Sequence, residues 1–332
     1  MKTVSIAALA TAALLAPLQA QAACKLATAE VPVTMQGLRP LVSVKISGKP
    51  VKLVLDSGAF ASFLTGGFAA QAKLQPYTAP KMGSLVPSAA NTVTSGVRGD
   101  QELTGIVIAP TFEVGGSTFP NVKFLTTGAN VGADAVGLIG QNLLHTADDE
   151  YDFKNGVLRL VQPQGCETTE LAYWVKPGMT YSMVPLETEG HYNGHTIAEI
   201  TVNGEKLRAW FDTGADTSFI TAHAAAKVGV HTTDTGVKRA GDSHGLDGAV
   251  KTWVATFASV KIGDEEIKNA KLAIGESNAE DFDVLIGADF FLAHHVYVAN
   301  SQKKLYFSYD GGPVFRSAAP AETASSGDGK GR

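Results

Sequence analysis

Apolar and polar positions alternate with period two along residues 41–46, where Val42, Val44 and Ile46 oppose Leu41, Ser43 and Lys45, predicting a half-buried strand. Ser47-Gly48-Lys49-Pro50 turns that strand into a second, residues 51–55, which runs straight into Asp56. Small and apolar residues at helical spacing over 66–74 predict a short helix, and strand signals return at 105–109, 111–114 and 122–126. Lys154-Asn155-Gly156 gives an Asn-Gly hairpin signal before residues 157–160. The order then repeats: a strand at 196–202, a turn at Asn203-Gly204, a strand at 206–211, a helix at 221–228, and further strands ending at 305–309. Glycine-bearing polar stretches at 82–100 and 241–248 separate strands in each half. The pattern predicts an all-β protein with a few short helices.

The repetition is in register. Leu53-Val54-Leu55-Asp56-Ser57-Gly58-Ala59 matches Ala209-Trp210-Phe211-Asp212-Thr213-Gly214-Ala215 at an offset of 156 residues, and at that same offset Leu41 meets Ile197, Gly48 meets Gly204 and Thr65 meets Thr221. One Asp-Ser-Gly turn carries little information, because Asp and Ser favour turns and Gly supplies positive φ. Two in one frame, each led by an apolar strand, are an internal duplication.

With 45% hydrophobic residues, 18% charged residues and a net charge of −5, 332 residues suffice for two domain-sized cores. No run of Lys and Arg is present to meet phosphates, which argues against nucleic acid as a partner. Residues 1–22 have an early Lys2, an apolar core and the small pair Ala20 and Ala22, the parts of a secretory signal peptide; no later stretch could span a bilayer. The expected address is the periplasm or the exterior. Cys24 invites a lipoprotein reading, but Gln21 stands where a lipoprotein signal places a larger apolar residue. The only two cysteines, Cys24 and Cys166, are expected to pair in an oxidising compartment, against free thiols or a lipidated Cys24. The domain expectation is a first lobe over 23–162, a linker over 163–180 marked by Pro163, Gly165, Pro177 and Gly178, a second lobe over 181–314, and a disordered tail over 315–332.

The two Asp-(Ser/Thr)-Gly turns resemble the active-site turns of the retropepsin-like and pepsin-like aspartic peptidases, here as an exported type with both lobes in one chain. Leu138-Ile139-Gly140-Gln141 and Leu285-Ile286-Gly287-Ala288 are similar to the hydrophobic-hydrophobic-Gly segment that follows each such turn in that fold. The resemblance covers residues 31–309. It implies two β-barrel lobes related by a pseudo-twofold axis, with the site at their interface, and flap hairpins at 82–100 and 241–248. It implies Asp56 and Asp212 as a catalytic pair, one carboxyl acting as base on water while the other donates to the scissile carbonyl, with a peptide or protein substrate and no metal or other cofactor. Ser57 and Thr213 would lock the two turns together, Gly58 and Gly214 would let them approach, and one chain would act alone as a pseudo-dimer. Phe60 and Asp216 occupy matching positions beside the turns and are candidate substrate-binding residues. In viral enzymes the carboxylate matching Asp216 holds the substrate backbone and is steadied by an Arg; the matching positions here are Gln141 and Ala288.

Competing chemistry has little support. Adjacent His294 and His295 would point to opposite faces of a strand, which makes the pair a poor chelate, and no His has a well-spaced Cys partner. There is no glycine-rich phosphate loop ahead of a helix. Trp174, Trp210 and Trp253 fit either a cleft lining or core packing. Two other readings of the duplication stay open: a peptide- or polysaccharide-binding module that kept the fold without activity, and a homodimer whose dyads form between chains.

Overall fold

The computed structural model describes residues 23–77, 92–96, 99–128, 131–132, 134–187, 194–245, 248–277 and 281–316. The expected signal peptide lies outside them, as does most of the stretch expected to form the first flap.

Each half closes a six-stranded barrel. In the first, strands Arg39–Ile46, Lys49–Leu55, Gly137–Ile139, Phe63–Thr65, Ser117–Thr127 and Gly99–Val114 follow one another in space, and Gly99–Val114 returns to pair with Arg39–Ile46. In the second the order is Ile197–Val202, Glu205–Phe211, Val284–Ile286, Phe219–Thr221, Glu265–Gly275 and Gly248–Ile262, closed by Gly248–Ile262 on Ile197–Val202. The alternation read from the sequence is visible in register: Val42, Val44 and Ile46 are buried while Ser43 and Lys45 are exposed. Both hairpins ahead of the Asp turns use two consecutive positive-φ residues, Ser47-Gly48 (51° and 76°) and Asn203-Gly204 (49° and 90°), the twist that matches flanking strands. Residues 105–114, expected as two strands, form part of one long strand that carries Pro110 without breaking. The short helices Gly66–Gln71 and Ala222–Lys227 start where Thr65 and Thr221 accept a backbone N–H in their first turn.

The halves are joined by a six-stranded antiparallel sheet beneath the barrels, in the order Ser182–Pro185, Lys304–Tyr309, His294–Ala299, Asp148–Asp152, Val157–Gln164 and Lys25–Gln36. Its centre pairs Asp149 with Val298, Glu150 with Tyr297 and Tyr151 with Val296. Counted from Leu138 and Leu285, Asp149, Glu150 and Tyr151 correspond to Val296, Tyr297 and Val298, so the pseudo-twofold axis passes between Glu150 and Tyr297. All five residues of Asp148–Asp152 are buried. Asp148 and Glu150 are met by specific partners: Ser301 and Tyr297 donate to Asp148, and Arg159 Nη1 (2.6 Å) and Tyr173 donate to Glu150, which also pairs with His295 Nε2 (2.8 Å). Burial raises the Glu150 carboxyl, and His295, Tyr173 and Arg159 together outweigh it and hold it below the usual range.

Cys24 and Cys166 form a disulfide across this sheet's edge. The expected linker is more than a connection, because Leu171 and Ala172 are buried against Val161, Tyr297 and Tyr306, and Trp174 stacks on His295. At the other end Phe315 packs on the core and the Arg316 N–H donates to Asp289 (2.9 Å), so the packed chain runs two residues past the expected start of the tail; residues 317–332 lie outside the described ones. Among the described residues no helix is long and apolar enough to cross a membrane.

Candidate active site

Two parallel strand pairings aim the candidate residues. Lys49–Leu55 pairs with Gly137–Ile139 and Glu205–Phe211 with Val284–Ile286, so each Asp leaves its barrel beside a Leu-Ile-Gly segment. The Asp56 N–H donates to the Ile139 carbonyl (3.0 Å) and the Asp212 N–H to that of Ile286 (2.8 Å). The glycines that follow allow the crossing. A Cβ on Gly140 would stand 2.5 Å from the Ala61 carbonyl oxygen, and one on Gly287 would stand 2.8 Å from that of Ala215.

The turns grip one another. The Ser57 N–H donates to Thr213 Oγ1 (3.0 Å) and the Thr213 N–H to Ser57 Oγ (2.9 Å). The two hydroxyls then donate onward across the interface, Ser57 to the Phe211 carbonyl (3.0 Å) and Thr213 to that of Leu55 (2.8 Å). Ser57 and Thr213 are 1% and 0% exposed, so these bonds have no water to compete with them.

Asp56 and Asp212 thereby meet, their carboxyl groups within hydrogen-bonding reach. The Gly58 N–H donates to Asp56 Oδ1 (3.0 Å) and the Gly214 N–H to Asp212 Oδ1 (2.8 Å). Burial pushes Asp56 well above the ordinary carboxylate range, and the charge of Asp212 and the hydrogen bond between the two carboxyls push it further. Burial raises Asp212 as well, but N–H groups of Gly214, Gly58 and Ala215 pull back. Two carboxyls in such contact hold one proton between them and titrate as a pair.

Beside the turns, Phe60 meets Phe63 edge-on (5.6 Å) and borders an open hollow of about 490 Å³ shared with Ala61, His145 and Gly194. Asp216 is half exposed and faces Arg39 Nη2 across the lobes at 3.5 Å. The cation missing at Gln141 and Ala288 is thus supplied by the opposite lobe, from a residue sequence reasoning passed over. Arg39 also donates to the Val131 carbonyl (3.2 Å). Its counterpart in the duplication is His195, which packs on Trp210 instead. The stretches expected as flaps enter antiparallel hairpins, Thr92–Gly96 with Gly99–Val114 and Lys238–Gly245 with Gly248–Ile262.

The histidine pair splits as expected, His294 toward Glu265 (3.1 Å) and His295 toward Glu150. Asp152, His295 and Asp310 come close enough to suggest a cation site, but both Asp152 oxygens already accept from Asn155 and one faces Arg159. Trp210 packs between His195 and Phe282, and Trp253 lies under the Arg239 guanidinium (5.1 Å).

Two barrels on a pseudo-twofold axis with paired Asp turns at their junction define the architecture of the two-lobed aspartic proteinases. The chain belongs to the aspartyl protease family, whose model matches residues 42–143 and again 198–290. Among solved structures it is similar to the aspartic proteinase from Irpex lacteus, at a TM-score of 0.53 and 14% identity over 88% of this chain and 100% of that one, a likeness of fold. No curated protein matches it by sequence.

Proposed function

We propose that the protein is an aspartic endopeptidase in which Asp56 and Asp212 share one proton, one carboxyl activating water while the other donates to the carbonyl of the scissile peptide. The observation that carries this reading is the contact of the Asp56 and Asp212 carboxyls at the lobe junction, Asp212 buried and Asp56 partly so, each also bonded to the N–H of its own turn glycine. Two carboxyls so close do not both ionise, so the competent form holds one proton. Turnover of an unfolded protein should follow a bell in pH, falling on the acid side when the pair takes a second proton and on the alkaline side when it loses the first. Burial raises both groups, which moves the alkaline limb upward. A flat profile from pH 3 to 8, or none of the substrate cleaved, would sink the reading.

The proposed setting is the periplasm or the exterior. The Cys24–Cys166 bridge supports it, because such bonds persist in oxidising compartments. Sequencing the exported protein should find Ala23 first; a retained Met1 would overturn this.

Subsite preference should be lopsided. Phe60 offers an apolar ring where the other lobe offers Asp216 with its Arg39 partner, so larger apolar side chains should be accepted on the Phe60 side. Burying one such side chain is worth about 1.5–3 kcal/mol, roughly a ten- to hundredfold preference in a peptide library. Phe60→Asp should flatten that preference, and an unchanged profile would assign Phe60 to packing alone.

A further inference from the structure

The duplication makes the two turns comparable atom by atom, and they differ in what stands behind them. The Gln141 Nε2 donates to the Ser57 carbonyl at 2.7 Å, and Gln141 is 3% exposed. The His195 imidazole, reaching over from the second lobe, faces the same carbonyl. Its Nδ1 is buried without a hydrogen-bond partner. At the equivalent positions behind Thr213 stand Ala288, which has no donor, and Arg39, which is spent on Val131 and Asp216. One turn is braced and its twin is not.

The braced carbonyl belongs to the peptide unit whose other end is the Gly58 N–H. That N–H donates to Asp56 Oδ1 at 3.0 Å and also faces Asp212, so it points at the charge the two carboxyls share. Donors on a peptide oxygen polarise the unit and make its N–H a better donor, an effect of the order of 10–30% per bond in a dry environment.

We propose that Gln141 and His195 are positioning residues, which orient and polarise the Ser57–Gly58 peptide so that its N–H stabilises the single negative charge of the Asp56–Asp212 pair. The role is built into one lobe only, and it gives the dyad a fixed polarity in a fold whose duplication would otherwise make its halves equivalent. Neither side chain reaches the reacting atoms. Burial holds His195 down to about 4, so the ring is neutral above that pH. Other titratable groups facing the site are Asp281, beside His195, Tyr151, from the sheet beneath, which burial and the carboxyls of Asp149, Asp56 and Asp212 raise, and Asp149, which burial also raises.

The inference rests on the endopeptidase reading for its kinetic test and stands apart from it in a second. Gln141→Met keeps the volume and removes the donor; His195→Phe keeps the ring against Trp210 and removes the N–H. In either variant a weaker Gly58 N–H disfavours the ionised pair, so the acid limb of the pH profile should move up by roughly half a unit. At the plateau kcat should fall about three- to tenfold with KM unchanged, the range expected for one hydrogen bond. A structural role alone would lower stability and leave the limb in place. Carboxyl ¹³C NMR of the two aspartates reads the same upward displacement without turnover, so an enzyme that cleaves nothing would defeat the endopeptidase reading and leave this one to the titration. An unmoved limb and an unmoved titration in folded variants would overturn the proposal, as would loss of fold in both, which would make the pair structural.

Discussion

Asp56→Asn and Asp212→Asn should each reduce turnover by a factor on the order of 10² to 10⁴, the usual worth of positioned acid–base groups, and together should do no further harm. A single carboxyl cannot both take the proton from water and give one to the carbonyl oxygen, so losing either removes the whole function. Both variants should fold, because Asn Oδ1 can accept the N–H that Gly58 or Gly214 now donates to Asp. They should also melt at or above the wild-type temperature near neutral pH. Both carboxyls are raised in the folded state, so they favour folding at acid pH and work against it as pH rises past the ordinary carboxylate value. Replacing one by a neutral amide removes that burden. Denaturant titration at pH 7 beside an activity assay checks both parts. A folded single variant that keeps substantial turnover would show that the two turns do not form one site, whereas inactivity already in the wild type would favour a binding module.

The sequence showed most of what is local or duplicated and little of what is distant and single. The turns at Ser47-Gly48 and Asn203-Gly204, the caps at Thr65 and Thr221 and the strand leading to each Asp follow from residues within a few positions, and the duplication places Asp56 and Asp212 in matching frames. The reciprocal Ser57–Thr213 grip was implied by the family resemblance of the two turns. Arg39 as the partner of Asp216, and His195 behind Ser57, were hidden because each depends on a residue far along the chain that the offset relates to something different. The strand Asp148–Asp152 misleads in the other direction. Four carboxylates in five residues suggest a solvated turn, yet tertiary partners on His294–Ala299, Val157–Gln164 and the segment after Cys166 bury all of it.

Alanine at either turn glycine should be nearly as damaging as loss of an aspartate, by a route that leaves both carboxyls in place. A Cβ on Gly58 would stand 2.2 Å from Asp212 Cγ, and one on Gly214 would stand 2.3 Å from Asp56 Cγ. Neither contact can be relieved by a flexible neighbour, since each Asp is held by its own turn and each turn is locked by the Ser57–Thr213 bonds. The lobes must therefore separate or the carboxyl must rotate away, and either movement breaks the shared proton. Overpacking of this kind costs about 1–3 kcal/mol, so Gly58→Ala and Gly214→Ala should lower the denaturation midpoint while abolishing turnover. Gly67 supplies the control: it lies in the helix Gly66–Gln71 with open space around its would-be Cβ, and Gly67→Ala should be neutral or slightly stabilising. The pH profile of any residual activity in the turn variants is the sharper readout, because two carboxyls driven apart no longer couple and the bell should collapse toward a single limb. Full activity in Gly58→Ala would mean that the turns do not approach as closely in solution as the shared proton requires, and catalysis between Asp56 and Asp212 would fall with it.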